Sequence, residues 1–404
     1  MKKIFLLLSI ILMTFYSCNK DNSIIEIQEL ILPELPILSI NTENSSPIVS
    51  KDDYVNGIFE ISSEDENLTA DIKIRGRGNS TWSFPKKPYQ IKFGSKETVL
   101  GMLKDKKWIL LANYSDKTML RNEVALNLSR FSNLDWTPNS RFLELFVNNE
   151  YLGVYQIVQK VEESSNRVNL GDNGYLLEVD QLSRLDPDDV YFRTNKYLFN
   201  IKEPSLDEGD NQFDIIKNYI QLTEKTLLGD NFTDPVEGYA KYIDVDSFVD
   251  WYLINEITKN NDAIFYSSVY MNYMPGGKLK MGPVWDYDLS LGNINYNNNE
   301  TTDGFWIKKA VWYSRLFEDP NFIAKVKKRF NHFYDNRNLF QEQVNSNSVY
   351  LNQSQERNFY KWPILGTYVW PNYVFYSTYN EEVKYLKEWL DERLEWLKEN
   401  FNKL

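Results

Sequence analysis

The sequence predicts an α+β body in two parts, a β-rich first part and a mostly helical second part, with a cleft between them. Three observations carry this expectation. From about residue 38 to residue 180 the chain breaks into short runs of alternating apolar and polar residues, the period of strands that are half-buried in a sheet. After Asp210 the apolar residues recur at helical spacing, most clearly along Glu381–Phe401, where Val383, Leu386, Leu390, Leu394, Leu397 and Phe401 line one face. A composition that is 42% hydrophobic and 15% aromatic over 404 residues is enough for one large core or two modest ones. Strands and helices segregated along a chain are the α+β pattern, and the junction between two such parts is a natural ligand cleft.

The first residues read as an export signal. Lys2 and Lys3 precede an apolar run from Ile4 to Tyr16 that is short for a transmembrane helix. The run ends at Tyr16-Ser17-Cys18, and Cys18 is the single cysteine of the chain. This resembles a bacterial lipobox, with Phe15 in place of the usual leucine. A signal peptide over residues 1–17 and lipidation of Cys18 are therefore expected. The polar, then proline-punctuated residues up to Leu32-Pro33-Glu34-Leu35-Pro36 suit a tether over 18–37, ahead of a body over 38–404. Lys20-Asp21 beside the cysteine points to the cell envelope, on the outer membrane, with the membrane as a partner through the lipid.

Composition excludes several classes. A formal net charge of -12 argues against a nucleic-acid partner, because phosphate backbones are bound by clustered cations that release counterions. A single cysteine forms no intramolecular disulfide and no cysteine-rich zinc cluster. His332, the single histidine, sits on an apparent helix face in Lys327–Phe333, which removes Ser-His and Cys-His nucleophiles and histidine-rich zinc sites. Any bound metal is then held by oxygen.

Within the first part, Asp71–Arg75 and Tyr89–Phe93 both place apolar residues on one strand face. Their other faces carry Lys73, Arg75 and Arg77 on the first strand and Gln90 and Lys92 on the second, a surface able to hold polyphosphate or simply to meet solvent. A helix is predicted over Asp116–Leu128, capped by Asp116 or Thr118. Phe142–Val147 and Tyr151–Val158 flank Asn148-Asn149, whose tolerance of positive φ suits a hairpin turn. Val245–Ile257 is a further helical stretch of the second part.

The strongest chemical signal is Lys278–Asn293, a strand that runs into a loop bearing Asp286 and Asp288, paired oxygens that suit Mg²⁺ or a similar hard cation. A calcium-loop reading fails, since Leu291 stands where glycine is required and Asn297 where a bidentate glutamate is. Upstream, the helix over Val245–Ile257 ends in Asn260-Asn261-Asp262, so two acidic loops can face one site. Phosphoryl transfer needs a carboxylate for the cation, another for the acceptor's proton and a cation on the phosphate oxygens. Loop aspartates also serve as caps, and at this level both readings stand.

Four segments carry a resemblance. Arg75-Gly76-Arg77-Gly78-Asn79-Ser80 leading through Phe84-Pro85-Lys86-Lys87 to Phe93, together with Leu111–Asn122, Asn149–Tyr155 and Pro283–Asp288, resembles the signature of the CotH family of atypical kinases. The resemblance implies a bilobal protein-kinase-like fold, with a β-rich lobe over about 38–180 and a helical lobe over about 181–404. It implies ATP with Mg²⁺ or Mn²⁺, and a protein substrate at the cell surface. It implies that Asp286, with Asp288 beside it, holds metal and that Asp262 is the catalytic aspartate. A lysine among Lys86, Lys87 and Lys92 would bind phosphate with Arg75, and Glu123 would pair with that lysine. Gly76 and Gly78 begin a glycine-rich pattern that Thr81 interrupts. Ser267-Ser268 stands where relatives carry His-Asn, which withdraws one metal or nucleotide contact from the expectation. Two other functions fit the composition: a catalytically silent surface adhesin using its 11 Trp and 27 Tyr, and a glycan hydrolase built on paired carboxylates.

Overall fold

The computed structural model describes residues 34–207 and 210–404, so the predicted signal peptide, Cys18 and most of the tether lie outside the described residues. The body starts sooner than expected: Leu35 is buried in the core and Pro36 O accepts a hydrogen bond from Glu144 N at 2.9 Å. Its described residues form an α+β structure, with no helix long and apolar enough to cross a membrane.

Seven strands close into a barrel. They are β1 (Ile37–Thr42), β2 (Val55–Ser62), β3 (Asn67–Gly76), β4 (Tyr89–Val99), β5 (Met102–Leu111), β6 (Ser140–Val147) and β7 (Glu150–Gln159), in the order β1-β2-β3-β4-β5-β7-β6. Neighbours are antiparallel except β1 and β6, which run parallel with Ile37 opposite Glu144 and remove the open edge. The expected alternation holds: Ile72 and Ile74 are buried opposite Phe93 and Ile91, while Lys73 and Lys92 meet across the outer surface. The β6–β7 turn is made by Asn148 and Asn149 at φ 50° and 64°. Trp108, Phe59, Leu143 and Tyr155 fill the barrel interior.

Helix α1 (Arg121–Arg130) lies between β5 and β6 in the chain and starts later than predicted. Asp116 explains the difference. Its wholly buried carboxylate accepts from Thr118 N at 3.1 Å and Arg121 N at 2.8 Å and pairs with the Arg121 guanidinium at 2.6 Å. Residues 116–120 are thereby folded into a turn ahead of the helix.

A second sheet has the order β12-β11-β8-β10-β9, from β8 (Tyr175–Val179), β9 (Val190–Arg193), β10 (Leu198–Glu203), β11 (Val269–Tyr273) and β12 (Lys280–Met281). It draws strands from both sides of residue 180, so the expected boundary there runs through a sheet. The helices α2 (Asn211–Leu228), α3 (Val245–Thr258), α4 (Val311–Leu316), α5 (Pro320–Asp335), α6 (Arg337–Tyr350), α7 (Asn352–Lys361) and α8 (Tyr379–Asn402) share a second, larger core with this sheet and with α1. Helix α3 is buried from Ser247 to Thr258, which places its C-terminal end in the interior. Helix α8 carries the predicted stripe, buried throughout, and opens on a capping box between Thr378 and Glu381. His332 lies on α5 with its ring stacked on Phe131 at 4.5 Å.

Candidate active site

A cleft of about 790 Å³ is lined by the end of β3, the polar face of the second sheet and two acidic loops. The first loop follows α3. Lys259 ends that helix at φ 48°, and its ammonium donates to Asn298 O, Thr301 O and Asp303 O at 2.6, 2.9 and 2.7 Å. The chain turns there and pairs with the loop after β12: Asn261 N donates to Leu289 O at 3.1 Å and Leu291 N to Thr258 O at 2.8 Å. Asp262, Asp286 and Asp288 all line the cleft as a result.

Asp286 has φ 69°, a left-handed conformation that costs a non-glycine residue about 1–2 kcal/mol. Its neighbours hold it. Asn260 Nδ2 donates to Asp286 O at 3.1 Å, and Tyr287 N donates to Asn122 Oδ1 at 2.9 Å. The Tyr287 hydroxyl donates to Asn255 Oδ1 on α3 at 2.9 Å. The carboxylate of Asp286 is exposed to the cleft, with Ser268 Oγ at 3.3 Å.

Asp262 is half-buried. It accepts from Asn261 Nδ2 at 2.7 Å and Ser267 Oγ at 3.3 Å, and the Arg184 guanidinium stands 3.8 Å away. Burial, and then the charge of Asp286, push its carboxyl above the usual range. Asp288 is pushed up further by burial and by Asp286 and Asp262. Three carboxyls crowd one wall with a single guanidinium 3.8 Å from one of them. Ser267 and Ser268, where the resemblance expects His-Asn, each touch one aspartate instead.

The cations are arranged differently from expectation. Lys86 lines the cleft, but its ammonium is buried, donating to Val154 O and to Asn358 Oδ1 of α7 at 2.9 Å, and burial lowers its pKa to about 7. Lys87 donates to Trp82 O at 2.6 Å, and Lys92 is exposed on the outer barrel surface. Neither lines the cleft. Glu123 corrects a second expectation: Arg130 at 2.7 Å, Gln156 Nε2 at 3.0 Å and Ser140 Oγ occupy its carboxylate, and none of Lys86, Lys87 and Lys92 pairs with it. Arg75 and Arg77 do line the cleft, Arg77 over the Trp285 ring at 5.4 Å. Gly76 owes its identity to packing, since a Cβ there would meet the Trp82 ring at 2.3 Å.

Lys160, Arg184, Glu178, Asn200 and Lys202 also line the cleft and were not anticipated. Lys160 immediately follows β7, and Glu178 and Lys202 stand on one face of paired strands. A strand-face alternation in residues 175–203 was the available signal, but each run is six residues or fewer.

The donor set fits an oxygen-preferring cation beside an anionic ligand. No group of three or more His, Cys, Asp or Glu among the described residues forms a metal site unaided. Mg²⁺ commonly takes one or two carboxylates and completes its shell with phosphate and water. Asp286 and Asp288 offer such a pair, and Arg75 and Arg77 line the same cleft.

Comparison with known proteins gives one family. The family model described as CotH kinase protein matches residues 74–397, most of the chain, with the cleft-lining Asp262, Asp286 and Asp288 among them. No curated protein matches the chain.

Proposed function

This chain belongs to the CotH kinase family, and from that premise we propose that it transfers a phosphoryl group from ATP to a hydroxyl of a protein at the cell surface. The barrel and the helical part then act as the two lobes of a protein-kinase-like site. In this reading the chain is anchored to the envelope through Cys18.

One observation carries the reading: Asp262, Asp286 and Asp288 share a single cleft with Arg75, Arg77 and Lys160. Asp262 receives the acceptor hydroxyl's proton as the new O–P bond forms and the bond to the departing diphosphate breaks. Asn261 and Ser267 hold that carboxylate in place. Arg75 and Arg77 bind the phosphate oxygens. Asp286 and Asp288 would hold Mg²⁺ or Mn²⁺, which when bound supplies positive charge to the phosphates.

The test is transfer of labelled γ-phosphate to protein by the wild type, Asp262→Asn and Asp286→Ala, with melting temperatures measured in parallel. Transfer that needs a divalent cation and falls by about 100-fold or more in both folded variants supports the reading. An inactive wild type, or full activity in either variant, overturns it.

A second reading, a surface-binding protein on the same fold without catalysis, also has an observation in its favour. Residues 362–380 contain no charged side chain, and this stretch with the preceding Tyr360, which is 92% exposed, presents Tyr368, Trp370, Tyr373 and Phe375 to solvent. Such a protein would keep its binding in Asp286→Ala.

A further inference from the structure

The second sheet has two unlike faces. Met271, Leu177 and Ile201 stand in register across β11, β8 and β10 and are buried in the helical core. One residue along, Tyr270 lies opposite Glu178, and Glu178 opposite Asn200, so a polar row crosses the same strands on the other face. Lys202 follows on that face of β10, and all four line the cleft.

Asn200 is the unusual member. It is 1% exposed, yet its side-chain oxygen has no hydrogen-bond partner. A buried amide oxygen left without a donor costs about 1–3 kcal/mol, and its position in a cleft wall marks a place where a ligand's N–H completes it. Beside it, Glu178 is buried, with Lys202 Nζ 3.9 Å away. Arg77, Glu178, Asn200 and Asp286 all line the one cleft, so the row and the acidic loops belong to one continuous site.

We propose that Glu178 and Asn200 form the end of the cleft that receives the base of the nucleotide, with Asn200 Oδ1 accepting a hydrogen bond from an exocyclic amine on that base. The inference rests on the phosphoryl-transfer reading and adds a base preference to it. A base bearing an amine satisfies the buried oxygen. One bearing a carbonyl at that position leaves it unpaired and sets two oxygens against each other.

Titrating ATP and ITP, which differ at this amine, into the full chain with Mg²⁺ tests it. The wild type is expected to bind ATP about tenfold or more tightly than ITP, the equivalent of one hydrogen bond. Asn200→Leu should bring the ratio close to one by weakening ATP alone. Asn200→Ser, which keeps a polar atom but withdraws the amide oxygen, should do the same and serves if the leucine variant does not fold. Equal affinities in the wild type, or an unchanged ratio in a folded variant, overturn the base assignment and leave phosphoryl transfer standing. Absence of binding by either nucleotide overturns both.

Discussion

At the scale of single residues, Asp262 is held by donors rather than by a strong ion pair. Asn261 Nδ2 favours its charged form, while burial and Asp286 favour the protonated one. Asn261→Ala should therefore raise the pKa of Asp262, moving the acidic limb of the pH–rate profile upward and lowering kcat more than KM. An unmoved acidic limb would deny Asn261 this role. Glu178 gives a stability prediction. Burial raises its pKa from 4.5 to about 7, so between these values the folded state holds a proton that the unfolded state has lost, and stability falls as pH rises through that window. Glu178→Gln should flatten the fall, as denaturant melts at pH 4.5 and 7 would reveal. The aspartates could be found from sequence because their side chains sit in loops whose motif is contiguous. Lys86 and Glu123 could not be assigned so easily. Their side chains turn toward Val154, Asn358, Ser140 and Gln156, partners distant in the chain whose identity only the folded arrangement reveals.

At the scale of elements, α7 is docked on β7 through backbone that a side chain would block. Gly153 has φ 104°, and a Cβ there would stand 2.6 Å from Asn358 Oδ1, the atom that also accepts from Val154 N at 3.1 Å. Trp362 Nε1 donates to Leu152 O at 2.8 Å and Arg357 pairs with Glu144 at 2.8 Å. Gly153→Ala should cost about 1–3 kcal/mol in chemical denaturation, by steric displacement of α7 and by the positive φ. A loss below about 0.5 kcal/mol would mean that the contact is soft. The stripe on α8 and the Asn148-Asn149 turn were legible because each is encoded within one element. The start of α1 was not, because the Asp116 carboxylate competes with the helix for its own backbone.

At the scale of the whole molecule, barrel closure and the second sheet both depend on pairings between distant segments, β1 with β6 and β8 with β11, for which local periodicity holds no signal. A long-range tie also supports the acidic loops. Glu256, near the end of α3, is fully buried with Arg393 of α8 at 2.7 Å, and it accepts from Trp306 N and Lys308 N at 2.6 and 3.1 Å. Arg393 in turn donates to Thr302 O and Gly304 O, both at 2.8 Å. Arg393→Met leaves a buried carboxylate without its cation and should cost about 3–5 kcal/mol. The melting temperature should drop accordingly, and a variant as stable as the wild type would show the pair to be replaceable. The most direct test of a cation-dependent nucleotide site is calorimetric titration of ATP with Mg²⁺ or Mn²⁺ into the protein and into Asp286→Ala. Binding that requires the cation and is lost in the folded variant is the predicted result, whereas no binding by the wild type, or equal binding by both proteins, would contradict it.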